Sequence, residues 1–241
     1  MNPLTTPISD PDSVDAAIVN RQSVRAFLPT PVPRELIEHI LRVASRAPSG
    51  SNAQPWKVYV LQGARRDELV RQVSDAHRLL REQPDMRGKF RTADNFDYYP
   101  RQWVEPYLSR RRENGWSLYG LLGIVKGDNE RMFEQQHQNY SLFGAPVGLM
   151  FTLDRAMGYG SLLDCGMFMQ NVMTAAHARG LHTCMQAAWA PFSGIVLPLV
   201  GAAAGEILVG GLALGHADPD AIVNTLRTPR EPVDVFAKWL D

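Results

Sequence analysis

Cysteine is scarce in this chain of 241 residues, with Cys165 and Cys184 the only two. Two thiols are too few for a disulfide framework or a cysteine-rich metal cluster, and they read as reduced core residues of a cytoplasmic protein. Charge of one sign is not in excess either. Twenty-five Lys and Arg balance 25 Asp and Glu, so no field draws the chain to nucleic acid or to an anionic membrane surface. The one cationic run, Arg110-Arg111-Arg112, suits a solvated helix face. Long apolar runs are missing too. Gly194 to Gly215 is broken by Pro198 and Glu206, whereas a membrane helix needs about 20 mostly apolar residues. The first residues, Met-Asn-Pro-Leu-Thr-Thr-Pro, show no targeting pattern. A soluble protein is expected.

Several chemistries are also missing. No Gly-Lys-Ser/Thr marks a P-loop, and no Gly-x-Ser-x-Gly marks a hydrolase elbow. Gly158-Tyr-Gly160 opens like a dinucleotide fingerprint, but Leu163 occupies the third glycine position. Histidines 39, 77, 137, 177, 182 and 216 lack zinc spacing, so no metal site is expected. An enzyme without a nucleophile motif or a metal motif points to an organic cofactor.

Periodicity gives the elements. Ser13 is a candidate cap for a helix carrying Val14, Ala17 and Ile18, and Pro33 a candidate first residue of a second helix with Leu36, Ile37, Ile40, Leu41 and Ala44 on one face. Strands are expected over Lys57 to Gln62, Val147 to Leu153, His182 to Gln186 and Glu206 to Leu214. A helix over about Ala64 to Glu82 carries Leu69, Val73, Ala76 and Leu80. Ser161 with Asp164 has the form of a capping box opening a helix that Gly180 closes. The elements alternate without a regular βαβ beat, which predicts an α+β fold in a single domain.

Two segments carry polar residues suited to a ligand. Arg21-Gln22-Ser23-Val24-Arg25 places two fixed cations around a hydroxyl. Pro48-Ser49-Gly50-Ser51-Asn52-Ala53-Gln54-Pro55-Trp56 places polar side chains on a turn beside a tryptophan. Arg227 and Arg230 add cations near the C-terminus. Guanidinium groups at both ends suit FMN, whose phosphate is dianionic and whose ring gains negative charge on reduction. Between Phe96 and Tyr119, the rings of Phe96, Tyr98, Tyr99, Trp103, Tyr107, Trp116 and Tyr119 are interleaved with charges and prolines. The stretch is read either as a lid whose rings face a pocket or as a flap packed by its own aromatics.

These segments resemble the signature of the FMN-dependent nitroreductase family, specifically a subgroup that reduces nitroaromatic compounds. The likeness continues in Gln186-Ala187-Ala188 after a strand, and in Ala213-Leu-Gly-His-Ala-Asp218 followed by Arg230 before Pro232. His216 stands where the family has tyrosine. The resemblance implies a nitroreductase-like fold with a central mixed sheet flanked by helices, in an intertwined homodimer. It implies FMN held by Arg21, Gln22, Ser23, Arg25, Pro48, Ser49, Gly50, Asn52, Gln54, Gln186, Ala187, Ala188, Arg227 and Arg230. It also implies NADH or NADPH as donor, ping-pong hydride transfer on FMN N5 and a flat aromatic acceptor. Residues 1–12 are expected to be flexible, 94–127 to form a lid-like insertion with Trp103 and Tyr107 facing substrate, and 228–241 to embrace the partner subunit. Reductive dehalogenation, enone reduction and flavin destruction run on the same scaffold, and a flavin sensor or storage protein is the non-enzymatic alternative.

Overall fold

A computed structural model describes residues 10–240. The expected flexible start at 1–12 falls mostly outside them; Asp10 to Asp12 cap and open a helix. Helix α1 spans Pro11–Val19, and its cap is Asp10, whose carboxylate accepts the Ser13 N–H at 3.2 Å. Ser13 therefore lies in the first turn and is not the cap expected for it. Helix α2 spans Arg34–Ala44 and is preceded by an extended Pro33, one residue later than the sequence predicts. Then come strand β1 (Lys57–Gln62), helix α3 (Gly63–Glu82), helix α4 (Tyr107–Leu121), helix α5 (Asn129–His137) and strand β2 (Val147–Asp154). Helix α6 (Tyr159–His177), strand β3 (His182–Gln186), helix α7 (Ser193–Val200), strand β4 (Glu206–Gly215) and the short helix α8 (Val233–Phe236) complete the order.

The four strands form one sheet in the order β1-β2-β4-β3. Every neighbouring pair is antiparallel. The mixed sheet implied by resemblance is thus corrected: among the described residues, parallel pairing is confined to an isolated bridge, Ser23 to Thr183, with the Val24 N–H donating to the Thr183 carbonyl at 3.0 Å. The chain turns away after that one residue, too soon to build a fifth strand.

β2 and β4 lie at the centre and are buried on both faces, which is why they read as apolar runs without alternation. Successive side chains on β2 serve opposite layers. Leu149 and Phe151 pack with Ile37, Ile40, Phe168 and Val172 of α2 and α6, whereas Met150 packs with Leu69, Trp189 and Phe192 beside α3 and α7. β4 can pass beneath Trp189 only as glycine at 211, since a Cβ there would lie 2.4 Å from the indole Cδ1.

The capping-box expectation at Ser161 is also corrected. α6 begins at Tyr159 behind Gly158, Ser161 lies buried in its first turn, and the Asp164 carboxylate instead accepts the Gly50 N–H at 3.2 Å. A distant donor won over the local one. Glu206, 4% exposed at the start of β4, takes Lys57 Nζ at 2.9 Å, the Tyr59 hydroxyl at 2.9 Å and the Thr152 hydroxyl, so one carboxylate ties three strands. At the junction of α3 and α5, His77 and His137 are buried with their Nδ1 atoms 2.9 Å apart. Phe133 stacks on His77 at 4.6 Å, and Tyr140 lies against it.

Candidate active site

Arg21 to Arg25 run from the end of α1 to the edge of β3, where the Ser23 bridge fixes them. A 3₁₀ turn at Ile222–Thr225 brings the C-terminal segment alongside. Asn224 joins the two. Its Oδ1 accepts the Arg25 N–H at 2.8 Å, its Nδ2 donates to the carbonyls of Ala26 at 2.8 Å and Asp218 at 2.9 Å, and its own carbonyl accepts Gln22 Nε2 at 2.9 Å. Arg227 reaches the same carbonyl at 3.1 Å and also donates to Gln22 Oε1. Residues about 200 positions apart in sequence thereby share one corner of the molecule.

The electrostatics of that corner are one-sided. Burial, then the neighbouring Arg230 guanidinium, hold Arg21 below its ordinary pKa. Burial and Arg21 likewise depress His177 at the end of α6. Among the described residues, no ion pair engages Arg21, Arg25, Arg227 or Arg230; Arg25 and Arg230 donate instead to nearby carbonyl groups and to the Thr228 hydroxyl. Guanidinium groups collected without a carboxylate form an anion site, and their fork geometry suits a phosphate.

Beside them β3 ends at Gln186, where the chain passes into a 3₁₀ turn at Ala187–Phe192. The N–H groups of Ala187 and Ala188 open that turn and have no acceptor within it. Gln186 is buried, with its Nε2 donating to the Asn139 carbonyl at 2.6 Å and its Oε1 left without a partner, as is the Thr183 hydroxyl. Such unpaired polar atoms beside the arginines fit the polar chain and ring edge of FMN. The two cysteines are buried free thiols, and burial pushes Cys165 up to about 12 and Cys184 upward as well.

The structure does not bring every expected residue to this corner. The Pro48 to Gln54 loop is largely exposed and bonds with itself, Gln54 N–H to Ser49 Oγ at 3.0 Å and Gln54 Nε2 to the Asn52 carbonyl at 3.1 Å. It holds Ser51, Asn52 and Gln54 at positive φ of 52°, 56° and 48°. The loop is anchored on Asp164 in the first half of α6, with Trp56 stacked on Phe168 at 4.8 Å. Arg21 sits by His177 at the other end, and 13 residues of helix separate the two anchors by about 20 Å.

Trp103 and Tyr107 do not lie on one helix, because α4 starts only at Tyr107, behind Pro106. Arg111 lies over the Trp103 ring at 5.1 Å and Arg110 near the Tyr107 ring at 5.8 Å. α4 buries no residue; it rests on the turn bearing Asn224, and Arg110 pairs with Glu231 at 2.7 Å. Sequence reasoning missed Asn224, a lone polar residue in Val-Asn-Thr with no motif around it. The Asn-Thr turn before Arg227 was its only local signal.

The Nitroreductase family model matches residues 18–216. The chain belongs to the nitroreductase family. It is 38% identical over 229 residues to 4-nitrobenzoate reductase of Pseudomonas putida, covering 95% of this chain and 96% of that protein. It also superimposes on the FMN and NADPH-dependent nitroreductase NfnB of Sphigopyxis sp. strain HMH with a TM-score of 0.87 at 37% identity, covering 95% of this chain and 99% of that one. The FMN-dependent NfnB of Mycobacterium smegmatis, solved with NADPH, gives 0.87 at 29% identity over 96% and 99%.

Proposed function

We propose that this chain is an FMN-dependent NAD(P)H nitroreductase that reduces nitroaromatic compounds as a homodimer. The observation that carries the reading is the convergence of Arg21 and Arg25 with Arg227 and Arg230, without an ion-pair partner among the described residues, beside the end of β3. When bound there, FMN supplies the centre that accepts and donates hydride. Arg21 and Arg230 would hold its phosphate, with Gln22 and Arg227 completing that side. Arg25, near Ser23, would balance negative charge on the ring. Ala187 and Ala188 offer backbone donors to the ring edge, prearranged by the β3–β4 pairing.

The Pro48 to Gln54 loop, standing about 20 Å along α6 from Arg21, serves the site of the second subunit. Two further features support the dimer. The residue 228–240 tail exposes Phe236 at 70% and Trp239 at 84%. Among the described residues nothing pairs with the outer edge of β1, which borders a groove of about 840 Å³ lined by Tyr59, Ile195, Pro198 and Leu199, where an apolar tail from a second copy can pack. Trp103 and Tyr107 of the 94–127 lid stack on the flat acceptor. A cytoplasmic site of action fits two unpaired buried thiols, and no described helix is long and apolar enough to cross a membrane.

The test is spectroscopic. Purified protein is expected to be yellow, to release FMN on heating, to bleach with NADPH or NADH, and to regain colour with 4-nitrobenzoate or nitrobenzene. A flavin that neither nicotinamide reduces would assign the chain to flavin sensing or storage, and FAD in place of FMN would overturn the phosphate reading.

A further inference from the structure

We infer that Asn224 is a positioning residue for phosphate recognition, the joint that holds the two halves of the arginine cluster at working distance from each other. The inference rests on the FMN reading above. Each polar atom of the Asn224 side chain is committed: Oδ1 to the Arg25 N–H at 2.8 Å, Nδ2 to the Ala26 and Asp218 carbonyls at 2.8 and 2.9 Å. Its backbone carbonyl collects Gln22 and Arg227 at 2.9 and 3.1 Å. Asn224 thus contacts both halves and touches neither a carboxylate nor a cation-neutralising group. Beyond this joint, the Arg21 to Arg25 segment is held by the Ser23–Thr183 bridge and by Val24, which is buried in the core; neither reaches the C-terminal arginines.

Arg21 and Arg230 repel each other when no anion lies between them, so an approach set by guanidinium alone would relax outward. The Asn224 bonds oppose that relaxation. Recognition of a phosphate by guanidinium forks is short-ranged and directional, so loosening the joint weakens phosphate contacts first. The ring end depends on it less, because Gln186 to Ala188 are set by β4 and by Asn139.

The experiment measures FMN and riboflavin binding to the apoprotein by fluorescence quenching in the wild type, Asn224→Ala and Asn224→Ser, with a thermal melt of each. In Asn224→Ala the preference for FMN over riboflavin is expected to fall about tenfold, the scale of a lost charge-assisted contact, while riboflavin itself loses at most about threefold. Asn224→Ser, which keeps one short polar group, is expected to fall between. Equal losses for both ligands, or none for either, would show that Asn224 is not specific to the phosphate. Failure of both variants to melt cooperatively would make it a folding contact and overturn the assignment. A wild-type apoprotein with no preference for FMN would overturn the cofactor reading itself, an outcome distinct from a wild-type preference that survives in Asn224→Ala.

Discussion

Two buried histidines, His77 and His137, share a contact that is satisfied only when one ring donates and the other accepts. With the Nδ1 atoms 2.9 Å apart, one ring must donate and the other must offer a bare nitrogen. Burial, then His137 and Arg78, lower His77 from 6.5 to about 4, and burial, then Arg78, lower His137; of the nearby charges Arg81 and Glu130 pair with each other and Glu134 opposes only weakly. A folded pKa below the unfolded one means that unfolding takes up protons. The stability from this pair is therefore complete above about pH 6.5 and drains away as pH falls toward about 4. Melting temperature followed from pH 7 to pH 4 is expected to drop more steeply in the wild type than in a His77→Phe/His137→Leu variant; parallel curves would remove the pair from acid lability. Glu206 acts in the same direction at lower pH. Burial pushes it upward, but its bonds from Thr152, Lys57, Tyr59 and the Ala203 N–H outweigh that and hold it below the usual carboxylate value, so its contribution is lost on acidification. At the cofactor corner, Arg230→Ala is expected to weaken FMN binding about tenfold to a hundredfold, the scale of a charge-assisted contact, with the melt little changed because the side chain is exposed. Unaltered FMN affinity would reduce Arg230 to a surface residue.

Helix α4, 15 residues long, invests little in the core, since none of its residues is buried. Removing Trp103 and Tyr107 together is expected to raise the Michaelis constant for a nitroarene several-fold, on the order of the 0.5–1.5 kcal/mol of an aromatic stack, with FMN content intact. A large fall in melting temperature with unchanged turnover would assign the rings to packing, where each buried aromatic is worth about 3–5 kcal/mol. The contrast between α4 and the sheet explains what could be read in advance. β2 and β4 were legible because their neighbours impose burial along the strand, and β1 and β3 because their apolar patterns are short. α6 was legible in its body but not at its start, where Asp164 had a distant donor in Gly50. Trp103 and Tyr107 stand four apart, but that spacing gives a common face only inside a helix, and α4 begins behind Pro106. The arginine segments announced themselves through clustered cations. Asn224 and the histidine pair did not, since each depends on a partner brought near only by the completed fold.

The molecule as a whole exposes apolar surface at its C-terminal end, where Val233, Val235, Phe236, Trp239 and Leu240 lie open. Ending the chain after Arg227 is expected to shift the protein from dimer to monomer in sedimentation and to abolish activity; a truncated dimer would place the contact elsewhere. The separation along α6 has a consequence for genetics. If Arg21 and the Gln54 loop serve sites on different subunits, a dimer built from one Arg21→Ala subunit and one Gln54→Ala subunit gathers both defects into one site and leaves the other whole. Two inactive parents would then yield active progeny when mixed after unfolding, with about half the specific activity of a native dimer in each hybrid. Subunits whose defects stay within a single chain could not rescue one another.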